Sequence, residues 1–285
     1  MISEDNNMPE RYKLQQKEEL NKLKYLRSNG IKPLKGYEFE GYNFLVNTMK
    51  EFIYIFIPLL VVVLVSDMVS GECTPPTLKF LITQPVKRGK VLFAKFITSL
   101  IASLFIIFIV QALAFLVVGM IGGFGNPDYP MSYGTKYLLD MTKLDELSRP
   151  TLVEIAGTRQ MISMSTYVLR MFLLEGLFIF ASCAFGFLVS VLFKSSMISM
   201  VFSSVTVFGM TILSILGAEF KSLAAVMKNI FFSYGSIPNL MEGKYALMYN
   251  DPSLTIERAI IVMAVWGIVS YIISHIYFTK RDILI

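Results

Sequence analysis

Histidine is almost missing from this chain: His275 is the only one in 285 residues. A zinc site of the H-E-x-x-H type therefore has no second imidazole to use. No G-x-x-x-x-G-K-[ST] phosphate loop occurs either. The only Gly-Lys pairs are Gly89-Lys90 and Gly243-Lys244, and neither has a correctly spaced glycine before it or a hydroxyl residue after it. A G-x-S-x-G nucleophile elbow is also absent. Without these constellations the chain reads as a non-enzyme, unable to hydrolyse ATP alone. Two cysteines, Cys73 and Cys183, support no disulfide framework and read as ordinary small residues. The first fifty residues contain no apolar h-region of a secretory signal. His275 itself reads as a packed or interfacial imidazole.

Charge is scarce as well, at 16% of residues against 54% hydrophobic, with a mean hydropathy of +0.59. Such a chain cannot clothe itself in polar surface as a soluble domain does. Long runs free of charge approach or reach the ~20 apolar residues that cross a hydrocarbon core. Five spans are expected, at about 52–70, 93–121, 169–193, 195–217 and 259–278. The fold class is an all-α polytopic membrane bundle. The second span is long enough to need tilting or to run past the core. The first spans only if Asp67 sits at headgroup depth or faces protein, and Pro58 within it is tolerable because neighbouring helices can serve the freed carbonyl.

Lysine and arginine set the orientation. Lys79, Lys87, Arg88, Lys90 and Lys95 lie between the first two spans, and Lys194, Lys280 and Arg281 fall on the same side, against only Glu72 and Asp282. That side is assigned to the cytoplasm, with Lys87, Lys90, Lys95, Lys280 and Arg281 at the membrane surface. The opposite loops, about 122–168 and 218–258, are nearly balanced in charge. Five spans with a cytoplasmic C-terminus put residues 1–50 outside, including a solvated helix over 9–28 with alternating charges. Either the first span inserts with its N-terminus outward, or a transmembrane helix precedes the chain as given.

The stretch 71–90, GECTPPTLKFLITQPVKRGK, is the densest signal. Thr74 can cap a helix that opens on Pro75-Pro76. Leu78, Leu81 and Ile82 fall on one face, Lys79 turns away, and Pro85 ends the helix before the basic run. Such a helix would lie flat under the bilayer with Lys87, Arg88 and Lys90 among anionic headgroups, each contributing about 1 kcal/mol.

The run SDMVSGECTPPTLKFLITQPVKRGKVLFAK resembles the signature of ABC-2 type transporter permeases, at Glu72, Thr77, Leu78, Leu81, Pro85, Arg88 and Lys95. Pro76 departs from it, standing where the family usually has glycine. The chain end, HIYFTKRDILI, is similar to the family's close after the last span. The resemblance covers roughly residues 50–285 and implies a transmembrane domain over 51–285, with 1–50 as an external loop. It also implies a cytoplasmic coupling helix in which Glu72, Thr77, Leu78, Leu81, Pro85 and Arg88 meet a separate ATP-binding subunit. ATP and Mg would sit on that partner and no cofactor on this chain. Family members have six spans with both termini inside, which favours a missing upstream helix. A second permease copy, identical or not, is implied because five or six helices enclose too small a path.

Other candidates are thinner. Gln111, midway along the second span, reads as helix–helix glue before a substrate contact in the pathway. Arg170 and Glu175 open the third span near an interface and suit a loose structural ion pair or a headgroup role, with Glu175 also a candidate for the pathway or for helix packing. Ser203, Ser204, Thr206 and Gly209 give the fourth span a small-residue face for packing or for the pathway. Residues 231–245, FFSYGSIPNLMEGKY, suit an external helix dipping into the interface, or an outer gate. The expected function is export of a drug, peptide or other amphipathic substrate across the cell membrane, with lipids as further partners and no nucleic acid. The rivals are a non-transporting scaffold or immunity protein that recruits an ATPase, and an ion-coupled carrier. The carrier would need mid-span carboxylates, which the chain is expected to lack.

Overall fold

The structure is a computed structural model and describes residues 10–33, 39–73, 87–144, 150–217 and 220–280. Within these, five helical stretches are long and apolar enough to cross a membrane: Tyr54–Glu72, Arg88–Gly122, Met164–Leu192, Ser196–Gly217 and Ile256–Lys280. The polytopic helical bundle expected from hydropathy is what forms, and the chain is a multi-pass membrane protein. The helix expected over 74–84, with Thr77, Leu78, Leu81 and Pro85, lies outside the described residues, as does Arg281.

Helix α1, Glu10–Ser28, is the charged helix expected near the start. Its Leu26 is buried, and it touches the strand Pro150–Glu154. The chain enters the bundle earlier than its charge-free run suggests. Helix α2, Gly41–Thr48, passes through a π-turn, Met49–Ile53, into α3, Tyr54–Val65. Hydropathy alone misses this start because Asn43, Asn47, Lys50 and Glu51 interrupt the apolar run. Asn47 satisfies Asn43 along the helix at 2.9 Å. Pro58 leaves the Tyr54 carbonyl without its helical donor, and Gly235 packs against that carbonyl. Asp67 lies beyond α3 and is exposed.

Helix α4, Arg88–Gly122, has 35 residues and would measure about 52 Å at 1.5 Å per residue, well beyond a ~30 Å hydrocarbon core. Helix α5, Met164–Leu192, is the centre of the bundle and packs against α3, α4, α6 (Ser196–Gly217) and α10 (Ile256–Lys280). Small residues set these approaches. Gly186 of α5 faces Val62, and Gly267 of α10 faces the Phe180 ring. Broad faces of α4, α6 and α10 remain apolar and exposed, among them Phe105, Val205 and Ile261, as suits helices that meet lipid or another subunit.

The connection between α4 and α5 is not helical, which hydropathy did not anticipate. It forms two antiparallel ladders: β1, Pro130–Tyr133, with β4, Gln160–Ser163, and between them β2, Tyr137–Leu144, with β3, Pro150–Glu154. The β2–β3 ladder carries an irregularity between Asp140 and Leu144. Tyr137 and Leu152 bury against Ala246 and Leu247 of helix α9, Lys244–Tyr249. The remaining far-end elements are α7 (Lys221–Met227), a 3₁₀ turn (Phe231–Tyr234) and α8 (Ile237–Met241).

Candidate functional site at the basic end of the bundle

The chain leaves α3 through a tight elbow, residues 66–73. Ser70 Oγ donates to the Ser66 carbonyl at 2.8 Å, and a 3₁₀ turn follows over Ser70–Cys73. Three neighbouring spans hold this elbow. Ser190 Oγ of α5 accepts from the amides of Val69 and Ser70 at 2.9 and 3.1 Å. Ser199 Oγ of α6 donates to the Ser66 carbonyl at 2.7 Å. Lys95, in the second turn of α4, donates to the Met68 carbonyl at 3.0 Å and forms an ion pair with Glu72. Ser190 and Ser199 are fully buried, and Lys95 and Glu72 are partly so, which makes their charge-assisted bonds worth more than at an open surface. Glu72 and Lys95 were both singled out by sequence, but Ser190 and Ser199 were not. A lone serine in an apolar run carries no signal until its partner is known.

Downstream, Lys87 and Arg88 begin α4, and Lys87 supplies no capping side chain. Lys87, Arg88 and Lys90 line an open groove of about 880 Å³ with Gly89, Phe93 and the α10 residues Tyr271, His275 and Thr279. His275 therefore packs between the helices, against Gly89 and 6.0 Å from the Tyr271 ring. Lys280 closes α10 at the same end and is exposed.

A second polar constellation lies inside the bundle. Gln111 Nε2 donates to Glu175 Oε1 at 2.5 Å and approaches Met49 Sδ of the π-turn at 3.5 Å. Glu175 is fully buried and Gln111 nearly so. The expected Arg170–Glu175 pair does not form. Helix α5 begins at Met164, five residues before the apolar run, so Glu175 sits eleven residues deep and turns toward α4. Arg170 instead lies over the Tyr133 ring at 4.5 Å. The chain thus does hold a buried mid-span carboxyl group, and its expected absence no longer separates an exporter from an ion-coupled carrier.

The small-residue face of α6 is also corrected. Ser199, Ser203, Val207, Thr211 and Ser214 form the buried stripe, at spacings of four and three. Thr206 is off that stripe and bonds the Phe202 carbonyl of its own turn at 2.8 Å.

At the far end, residues 231–245 are buried rather than interfacial. Phe231, Tyr234, Ile237 and Met241 are almost inaccessible. Ser236 Oγ reaches the Lys50 carbonyl in the π-turn at 3.1 Å, and Tyr167 OH donates to the Pro238 carbonyl at 3.3 Å. Burial pushes the Tyr234 hydroxyl up to about 12 and also raises that of Tyr245, so both phenols stay protonated. Tyr245 OH accepts from the Ser236 amide at 3.0 Å, and Tyr234 OH donates to the Lys228 carbonyl at 2.6 Å. These bonds seat the segment as a plug over the bundle. Among the described residues no cluster of His, Cys, Asp and Glu is arranged to hold a metal ion.

Comparison with known families gives one match. The family described as "ABC-2 family transporter protein" matches residues 3–283. No curated protein and no solved structure matches the chain.

Proposed function

From the premise that the chain belongs to the ABC-2 transporter family, we propose that it is the permease subunit of an ATP-driven exporter in the cell membrane. A separate ATPase subunit, carrying ATP and Mg, powers it. A second permease copy completes the pathway, and the cargo is a drug, peptide or other amphipathic molecule. The residues before α2 form its external segment, and the transmembrane domain begins at α2, Gly41–Thr48, rather than at residue 51.

One observation supports this most strongly. The elbow 66–73 enters the 74–86 segment already bolted to α4 through Lys95, to α5 through Ser190 and to α6 through Ser199. A push delivered to that segment by a partner's nucleotide cycle would reach three spans at once through short bonds, two of them buried and one partly so. Reversing a 99-to-1 conformational bias takes about 5.5 kcal/mol of differential interaction, so a rigid connection is needed.

The test is reconstitution with the ATPase subunit in vesicles. ATP-dependent movement of an amphipathic dye that stops without this chain supports the proposal. Recruitment of the ATPase with no solute movement would instead identify a scaffold.

A further inference from the structure

The first turn of α4 is charged the wrong way. A helix N-terminus carries partial positive charge and favours acidic side chains. Here no acid occupies the first turn, Lys87 gives no side-chain cap, and Lys87, Arg88 and Lys90 crowd the same place. Lys87 and Lys90 are exposed. Lys87, Lys90 and the helix terminus thus set positive charge side by side, which favours an anion between them.

The groove beside them supplies the space. It has about 880 Å³, and among the described residues no acidic side chain lines it. One flank is aromatic: the Phe93 and Tyr271 rings meet edge to face at 6.2 Å. Phe93 is about half exposed and continues into the apolar, exposed surface of α10 at Ile272 and Ile276. The floor is His275, whose buried Nδ1 has no partner among the described residues. Gly89 makes room for that ring, since a Cβ there would come within 2.7 Å of His275 Cε1.

We infer that this groove binds an anionic phospholipid. The phosphate sits between Lys87, Lys90 and the start of α4, and an acyl chain runs along Phe93 and the outer face of α10. A cationic rim that opens sideways onto a membrane-facing apolar wall fits a lipid better than a free anion, which would have no use for that wall. The site would hold one lipid at the junction of α4 and α10, beside the elbow that carries the Glu72–Lys95 pair.

Native mass spectrometry tests the site on the full chain in mixed phosphatidylglycerol and phosphatidylcholine micelles. Wild-type protein is expected to retain one phosphatidylglycerol in preference to phosphatidylcholine. The K87Q/K90Q variant should bind it about 25-fold more weakly, at roughly fivefold per lysine removed. Both substitutions are at exposed positions, and an unchanged thermal midpoint would confirm that the fold is intact. Phe93→Ala should weaken retention while leaving the basic cluster in place. Equal retention of the two lipids, or wild-type retention by K87Q/K90Q, would overturn the inference. So would displacement of the lipid by excess inorganic phosphate, which would mark a free-anion pocket, or loss of the preference when the ATPase subunit binds the same lysines.

Discussion

Gln111 of α4 and Glu175 of α5 meet at 2.5 Å, each eleven residues from the far end of its helix. Equal depth is what allows the pair, at about 17 Å along each helix by the 1.5 Å rise. The contact ties the longest span to the central one in the buried interior. It also reaches the π-turn through Met49, and π-turns interrupt helices most often where function needs an altered geometry.

Gln111→Leu should therefore cost about 1–3 kcal/mol, because it removes the donor to a buried carboxyl group. The double variant with Glu175→Leu should recover part of that loss. Coupling from the double-mutant cycle is expected at roughly 0.6 kcal/mol, with about 1.7 as the upper range for membrane proteins. Thermal unfolding in detergent measures it. Additive single effects would mean that the two side chains do not interact.

The ion pair Lys228–Asp251, at 3.0 Å, fixes the far-end loop before α10. Burial pushes the Asp251 carboxyl up, but hydrogen bonds from Ser253 and Lys228 outweigh it and hold the group below its ordinary value. The folded form is thus depressed relative to the unfolded one. Its contribution is complete above about pH 4 and drains away as the pH falls through the folded value. For a partly exposed pair it should amount to ~1 kcal/mol or less. Asp251→Asn should remove that part of the acid dependence, and thermal midpoints between pH 3 and 7 check it. An identical acid profile in the variant would contradict the role of the pair.

Gly243 sits at φ +81°, where an added Cβ would also approach the Thr135 carbonyl oxygen to 2.3 Å. Gly243→Ala should cost about 1–3 kcal/mol through strain and overpacking. The same step should loosen the plug, because Gly134 N bonds the Met241 carbonyl alongside at 2.8 Å. Faster hydrogen exchange at residues 231–245 is the expected signature. Wild-type protection would show that this glycine does not hold the plug in place.

Much of the membrane architecture was legible because a span announces itself through twenty residues of one chemistry. The five spans, the solvated helix at 10–28 and the concentration of lysine and arginine at one end all rest on signals of that length. Features that depend on single distant contacts were not legible. Glu175 looked interfacial because hydropathy starts the third span at 169, whereas Ser163 caps α5 and starts it at Met164. The ladders at 130–163 escaped because their strands are four to eight residues long and only β2–β3 joins neighbours in sequence. The aromatic content of residues 231–245 suits an interfacial helix or an outer gate alike, and it is their tyrosines, bonded to backbone carbonyls and amides, that seat them inward. The buried stripe of α6 was misplaced because composition gives the presence of small residues and not the direction they face.

Substrate-stimulated ATP turnover measures coupling most directly, in vesicles containing this chain and its ATPase subunit. Glu72→Ala removes the ion pair between the elbow and Lys95 while leaving the Lys95 bond to the Met68 carbonyl, and Leu81→Asp places a charge on the apolar face expected at 74–84. Both variants should insert at wild-type levels, yet lose stimulation by about tenfold, the factor that ~1.4 kcal/mol carries. Undiminished stimulation in both would contradict transmission through the elbow.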